Sequence, residues 1–127
     1  MRKIIQLMFV TTLMMLASSA FGTVVQIYSC EQDEATTDDQ LEAMASEWLK
    51  AAKTVKGGEN LELYLTFPIA ASAGEIDVQF VLYVPNFAEW GAFIDNYNGS
   101  AAQKIDNKYE DDLDCTKSTL WDRIKIE

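Results

Sequence analysis

A single α+β domain, with one four-stranded antiparallel sheet and helices on one face, is predicted by three observations. Alternating apolar runs and runs of helical period follow one another in the order βαββαβ. The two cysteines, Cys30 and Cys115, fall at the end of the first strand and just ahead of the last. Capping and turn residues stand where the period changes.

The elements begin after an N-terminal segment of another kind. Arg2 and Lys3 precede the nearly uncharged run Ile4 to Leu16, and Ala17, Ser18, Ser19 and Ala20 follow. This is the layout of a secretory signal, too short to span a bilayer comfortably. Residues 1–22 are therefore read as a signal peptide and 23–127 as the domain. Removal of the first 22 of 127 residues leaves 105, one core's worth of chain. The net charge of −10, or −12 without Arg2 and Lys3, repels nucleic acid and anionic lipid. The expected protein is exported, secreted or periplasmic, with no nucleic-acid partner and no membrane association after cleavage.

Val24 to Cys30 (VVQIYSC) is rich in β-branched and aromatic residues and reads as a strand. Thr37 and Gln40 form a capping box with Asp38 and Asp39 in the first turn, where carboxylates meet the positive end of the helix dipole. Leu41, Met44, Ala45, Trp48, Leu49, Ala52 and Val55 continue the helix until Gly57 and Gly58 stop it. Leu61 to Phe67 alternates and ends at Pro68, and Ile76 to Val84 alternates as the second arm of a hairpin. Pro85 and Asn86 open a helix bearing Phe87, Trp90, Phe93, Ile94 and Tyr97. Asn98 to Ser100 interrupts it, and a further helical piece carries Ala102, Ile105 and Tyr109. Thr119 to Ile126 reads as the last strand.

This order is that of the ferredoxin-like plait, in which the first and last strands are antiparallel neighbours. A Cys30–Cys115 disulfide fits that adjacency and contributes about 4 kcal/mol in the chain-entropy model. Pairing 30 with 115 would set Tyr28 opposite Lys117, Gln26 opposite Thr119 and Val24 opposite Trp121. In that register Val25, Ile27, Leu61, Leu63, Leu65, Phe67, Ile76, Val78, Phe80, Leu82, Leu120, Ile124 and Ile126 face the helices. Val24, Gln26, Tyr28, Tyr64, Thr66, Gln79, Val81, Tyr83, Thr119 and Trp121 form the other face. Its aromatic rings are too apolar to remain wet. A second copy of the chain, seated on Tyr28, Tyr64, Val81, Tyr83 and Trp121, would cover them.

In element order, and locally over Phe80 to Ser100 (FVLYVPNFAEWGAFIDNYNGS), the chain resembles the dimeric α+β barrel superfamily, which includes the antibiotic-biosynthesis-monooxygenase-like domains. The resemblance implies a homodimer with a small pocket in each subunit. Members often carry a histidine on the helix after the third strand; here Asn96 stands at roughly that place and the chain has no histidine. Haem-binding members are therefore poor guides, and no catalytic role carries over.

Absence of histidine also removes the commonest general base and metal ligand. Seven acids, Glu31, Asp33, Glu34, Glu110, Asp111, Asp112 and Asp114, gather around the cysteines. They resemble the oxygen ligands of a hard cation, but their spacing is irregular, and a solvated rim is the simpler reading. No metal is expected. Asp95 to Ser100 (DNYNGS) puts Tyr97 where a calcium loop needs an acid or amide. Trp48, Phe87, Trp90, Phe93 and Tyr97 read as core that could also wall a pocket, with Tyr64, Tyr83, Trp90, Asn96 and Arg123 as the candidate ligand-contacting groups.

The expectation is an exported, disulfide-stapled domain that homodimerises and binds a small apolar or aromatic ligand, with no catalytic site and no cofactor. One alternative is a cofactor-free monooxygenase or isomerase in which Trp90, Tyr83 and Asn96 position an electron-rich substrate. The other is a structural or partner-binding envelope protein.

Overall fold

The computed structural model describes residues 23–69 and 77–127; the expected secretion signal and Ile76 lie outside them. The chain runs β1 (Thr23–Gln32), α1 (Asp38–Ala52), β2 (Glu62–Thr66), β3 (Val78–Val84), α2 (Phe87–Asp95), α3 (Ala101–Lys108) and β4 (Leu113–Arg123). One sheet holds the strands in the order β2-β3-β1-β4, each neighbouring pair antiparallel. This is a ferredoxin-like α+β fold, with β1 and β4 adjacent as the cysteine positions require.

Local chemistry sets the helix ends. The Thr37 hydroxyl accepts from the Gln40 N–H, and the Gln40 side chain accepts from the Thr37 N–H at 2.8 Å, so the expected capping box forms. Asn86 and Ser100 cap α2 and α3 by the same side-chain-to-N3 bond. Gly57 does more than end a helix. At φ +89°, with any Cβ only 2.3 Å from the Glu89 carbonyl oxygen, it lets the α1–β2 loop press directly on α2.

Apolar side chains bury one face of the sheet in two adjoining clusters. Val24, Ala52, Val55, Leu61, Leu82, Val84, Phe93 and Ala102 form one. Cys30, Leu41, Met44 and Val78 form the other, and Tyr28 and Phe80 pack against both. The Cys30–Cys115 disulfide is present, with the Cα atoms 4.0 Å apart.

Three features differ from the sequence reading. The first is the orientation of β1. Val24, Tyr28 and Cys30 pair with Val84, Phe80 and Val78 and face the helices, while Val25 and Ile27 face outward. VVQIYSC carries apolar residues at both parities, so alternation alone does not choose its face. Pairing with β3 does, and a one-residue change exchanges every side chain.

The second difference is the register of β4. A bulge between Ser29 and Glu31 sets Tyr28 opposite Ser118, Gln26 opposite Leu120 and Val24 opposite Asp122, one position from the expected pairing. β4 also starts at Leu113, so Cys115 lies inside the strand rather than ahead of it.

The third is coverage. No described helix packs on β4, and every residue from Asp114 to Arg123 is exposed. Leu120 is on the helix-side face but reaches no helix, and Phe67, Ile124 and Ile126 lie beyond the strands and are exposed rather than core.

Candidate functional site

Where the two core clusters meet, helices and sheet do not close completely. A cavity of about 450 Å³ remains there. Its floor is Tyr28, Leu63, Phe80 and Leu82 of the sheet; Met44, Ala45 and Trp48 of α1 form one wall. Phe93, Ile94 and Tyr97 close a second side, and Ile105, Asp106 and Tyr109 a third. Ile94, Asn107 and Glu110, all exposed, mark the mouth.

The aromatic walls are mutually braced. The Trp48 and Phe93 rings meet edge-on at 6.2 Å, as do Phe93 and Tyr97 at 5.6 Å. The Trp48 indole N–H donates to the Tyr97 hydroxyl at 3.5 Å, and it also faces the Asp106 carboxyl. Outside the cavity, Glu47 accepts from Lys108 Nζ at 2.9 Å and from the Tyr109 hydroxyl at 2.6 Å, tying α1 to the end of α3. Both hydrogen bonds hold the Glu47 carboxyl below the usual carboxylate range.

Asp106 is the chemically distinctive group. Burial of its carboxyl against the cavity wall pushes its pKa up to about 6, opposed only by the hydrogen bond from Trp48. Its residue as a whole stays exposed, so the carboxyl lies at the boundary between cavity and water. Burial also raises the Tyr28 hydroxyl, and the nearby Asp106 charge raises it further. Among the described residues, no lysine or arginine lines the cavity.

The sequence-selected residues do not share one site. Tyr64, Tyr83 and Arg123 gather on the open face, where Tyr64 and Tyr83 meet edge-on at 5.3 Å and the Arg123 guanidinium sits 4.7 Å above the Tyr83 ring. Tyr64 donates to Glu62 at 2.9 Å, which raises its hydroxyl pKa. Trp90 instead lies under the helices, its indole N–H donating to Gln26 Oε1 at 2.9 Å. Asn96 caps the end of α2 and spends its amide on the Ala92 carbonyl at 2.7 Å. Trp90, Tyr83 and Asn96 thus lie on three different surfaces and cannot hold one substrate together. Of the aromatic residues expected in a wall, Trp48, Phe93 and Tyr97 line the cavity; Phe87 is exposed.

The expected dimer face is redistributed as well. Tyr64, Val81, Tyr83 and Trp121 share the open face, whereas Tyr28 faces the helices and floors the cavity. Among the described residues no three acids or cysteines converge as a metal site. In the acidic rim, Asp33 Oδ1 accepts from the Ala35 N–H at 2.9 Å, and Asp112 Oδ1 accepts from the Thr36 hydroxyl at 3.2 Å. These carboxylates organise a turn.

Asp106 was accessible to sequence reasoning. Ala102, Ile105, Asp106 and Tyr109 occupy i, i+3, i+4 and i+7, so the acid stands on the apolar stripe of its helix.

No protein-family model matches the sequence, and no curated protein matches it. Solved structures do match in fold. A dimeric ferredoxin-like protein of unknown function from Thermobifida fusca YX is 14% identical, with a TM-score of 0.51 over 80% of this chain and 90% of that one. The hydroxynitrile lyase of Passiflora edulis is 11% identical, with a TM-score of 0.55 over 84% of this chain and 95% of that one. At such identities the likeness shows the ferredoxin-like α+β fold. It does not reach the narrower monooxygenase-like superfamily.

Proposed function

We propose that this chain is a small-molecule-binding domain whose ligand, an apolar or aromatic molecule with a polar group, occupies the cavity between helices and sheet. The cavity itself carries the proposal. Its volume of about 450 Å³ lies in the range of small-ligand sites, its walls are mainly apolar, and Trp48 brings its indole N–H to both Tyr97 and Asp106. The test is titration with p-cresol while following the Trp48 indole N–H resonance. A saturable shift is expected, and Ala45→Phe, which puts a ring into the cavity, abolishes it. A folded wild-type protein with no saturable response overturns the proposal.

The same reading includes a homodimer formed through the open face. Trp121 is 57% and Tyr64 52% exposed, on the sheet surface that no described helix covers. The Thermobifida fusca protein of similar fold is described as dimeric. Export is supported by the signal-like layout of residues 1–22 and by the disulfide, which fits an extracellular or other oxidising location. No described helix is long and apolar enough to cross a membrane.

A further inference from the structure

We infer that the cavity selects an organic cation, an ammonium or quaternary ammonium group carried on a compact apolar body. This rests on the cavity being a ligand site and specifies what kind of ligand it takes. Six aromatic side chains, Tyr28, Trp48, Phe80, Phe93, Tyr97 and Tyr109, contribute to the lining. Faces of such rings attract cations, increasingly so when water is excluded.

Asp106 supplies the counter-charge. A carboxylate partly withdrawn from water without a cationic partner is costly, and among the described residues that line the cavity there is no lysine or arginine. Of the two lysines on the same helix, Lys108 is held at 2.9 Å by Glu47 outside the cavity, and Lys104 is not among the residues that line it. The groups facing Asp106 from the surrounding elements are Tyr28 from β1, Trp48 from α1, Tyr97 after α2, and Tyr109 and Glu110 after α3. Cys115, from β4, is in the disulfide and does not titrate. None of these groups is positive, and Glu110 at the mouth adds a second negative charge. A bound cation would neutralise the carboxylate and let the aromatic walls replace its hydration.

Neutral apolar ligands would leave Asp106 uncompensated, and anions would be repelled by it. Cation binding must also be linked to the Asp106 proton. Its carboxyl, raised to about 6, is mostly ionised at neutral pH and mostly protonated at pH 5. A ligand that requires the ionised form displaces the proton, so its affinity falls as pH falls through that range.

The probes are phenyltrimethylammonium, its neutral isostere tert-butylbenzene and benzenesulfonate, each titrated against the oxidised chain by the Trp48 indole resonance. At pH 7.5 the cation should bind at least about tenfold tighter than the hydrocarbon, and the sulfonate more weakly than either. Between pH 7.5 and pH 5 the cation's affinity should fall about tenfold while the hydrocarbon's does not fall. Asp106→Asn should abolish both the cation preference and its pH dependence while retaining the hydrocarbon. Binding of the hydrocarbon with no cation preference, or a preference that survives Asp106→Asn, overturns this inference and leaves the cavity as a ligand site. No binding by any probe to the folded protein overturns both.

Discussion

The two faces of the sheet use similar residues to different ends. Under the helices, Tyr28 and Phe80 bridge two clusters and leave a cavity with one awkward carboxyl. On the open face, Tyr64 and Trp121 are exposed and Tyr83 is half-buried, while Val25 and Val81 beside them are buried. Aromatic content therefore does not distinguish a core from an interface. The difference lies in what stands opposite the rings: α1, α2 and α3 on one side, no described helix on the other.

Four measurements would break or sharpen that contrast. The largest effect belongs to the disulfide, because it staples β4, which no described helix covers, to a strand at the centre of the core. Urea unfolding with and without reductant should show a loss of about 4 kcal/mol on reduction. A loss under about 1 kcal/mol would mean that the β1–β4 ladder alone holds the edge.

Core truncation comes next. Phe93 is 3% exposed, meets the Trp48 and Tyr97 rings, and lines the cavity. Phe93→Ala should cost about 3 kcal/mol in chemical denaturation, toward the lower end for such changes because part of its surroundings is already empty.

Asp106→Asn should act in the opposite direction. With its folded pKa raised to about 6, Asp106 keeps its proton in the native state where the unfolded chain has released it. Stability should therefore fall as pH rises from about 4 to about 6 and then level off. Replacement by Asn should flatten this profile and add about 1 kcal/mol at pH 7, a value discounted for the water that reaches the carboxyl. Stability that is no greater in the variant, across that range, would mean the carboxyl is already well solvated. A gain would mark a group retained at a stability cost, as binding groups often are.

The smallest effect on folding is expected on the open face. Trp121→Ala should change the monomer's unfolding free energy by less than about 0.5 kcal/mol, the usual scale for an exposed site. The same variant should shift the proposed dimer toward monomer in sedimentation equilibrium. An unchanged mass would separate Trp121 from any interface.

Much of the fold was legible in the chain because the signals were local and redundant. Thr37 with Gln40 starts a helix by chemistry confined to four residues, and the alternation through Val78, Phe80, Leu82 and Val84 marks the face that meets the helices. The cysteine pair added the one long-range constraint, and β1 and β4 are neighbours as it required. The candidate site was legible only in part. Trp48, Phe93 and Tyr97 announce an aromatic wall in the sequence, but nothing local sets Tyr28 on the helix side, and Asp106 stands on the apolar stripe of α3 without a motif around it. Tyr83, Trp90 and Asn96 are close in sequence, yet a strand, a helix and a helix cap send them to three surfaces.

By itself, then, the sequence determined the elements, their order, the adjacency of the first and last strands and the strongly acidic surface, because period, capping and charge are properties of short stretches of chain. Tertiary structure alone decided the face of β1, the bulged register of β4 and the meeting of Tyr28, Trp48 and Asp106 around one cavity. VVQIYSC is apolar at both parities, so its orientation depends on which partner strand it pairs with, and that choice exists only once the sheet has formed.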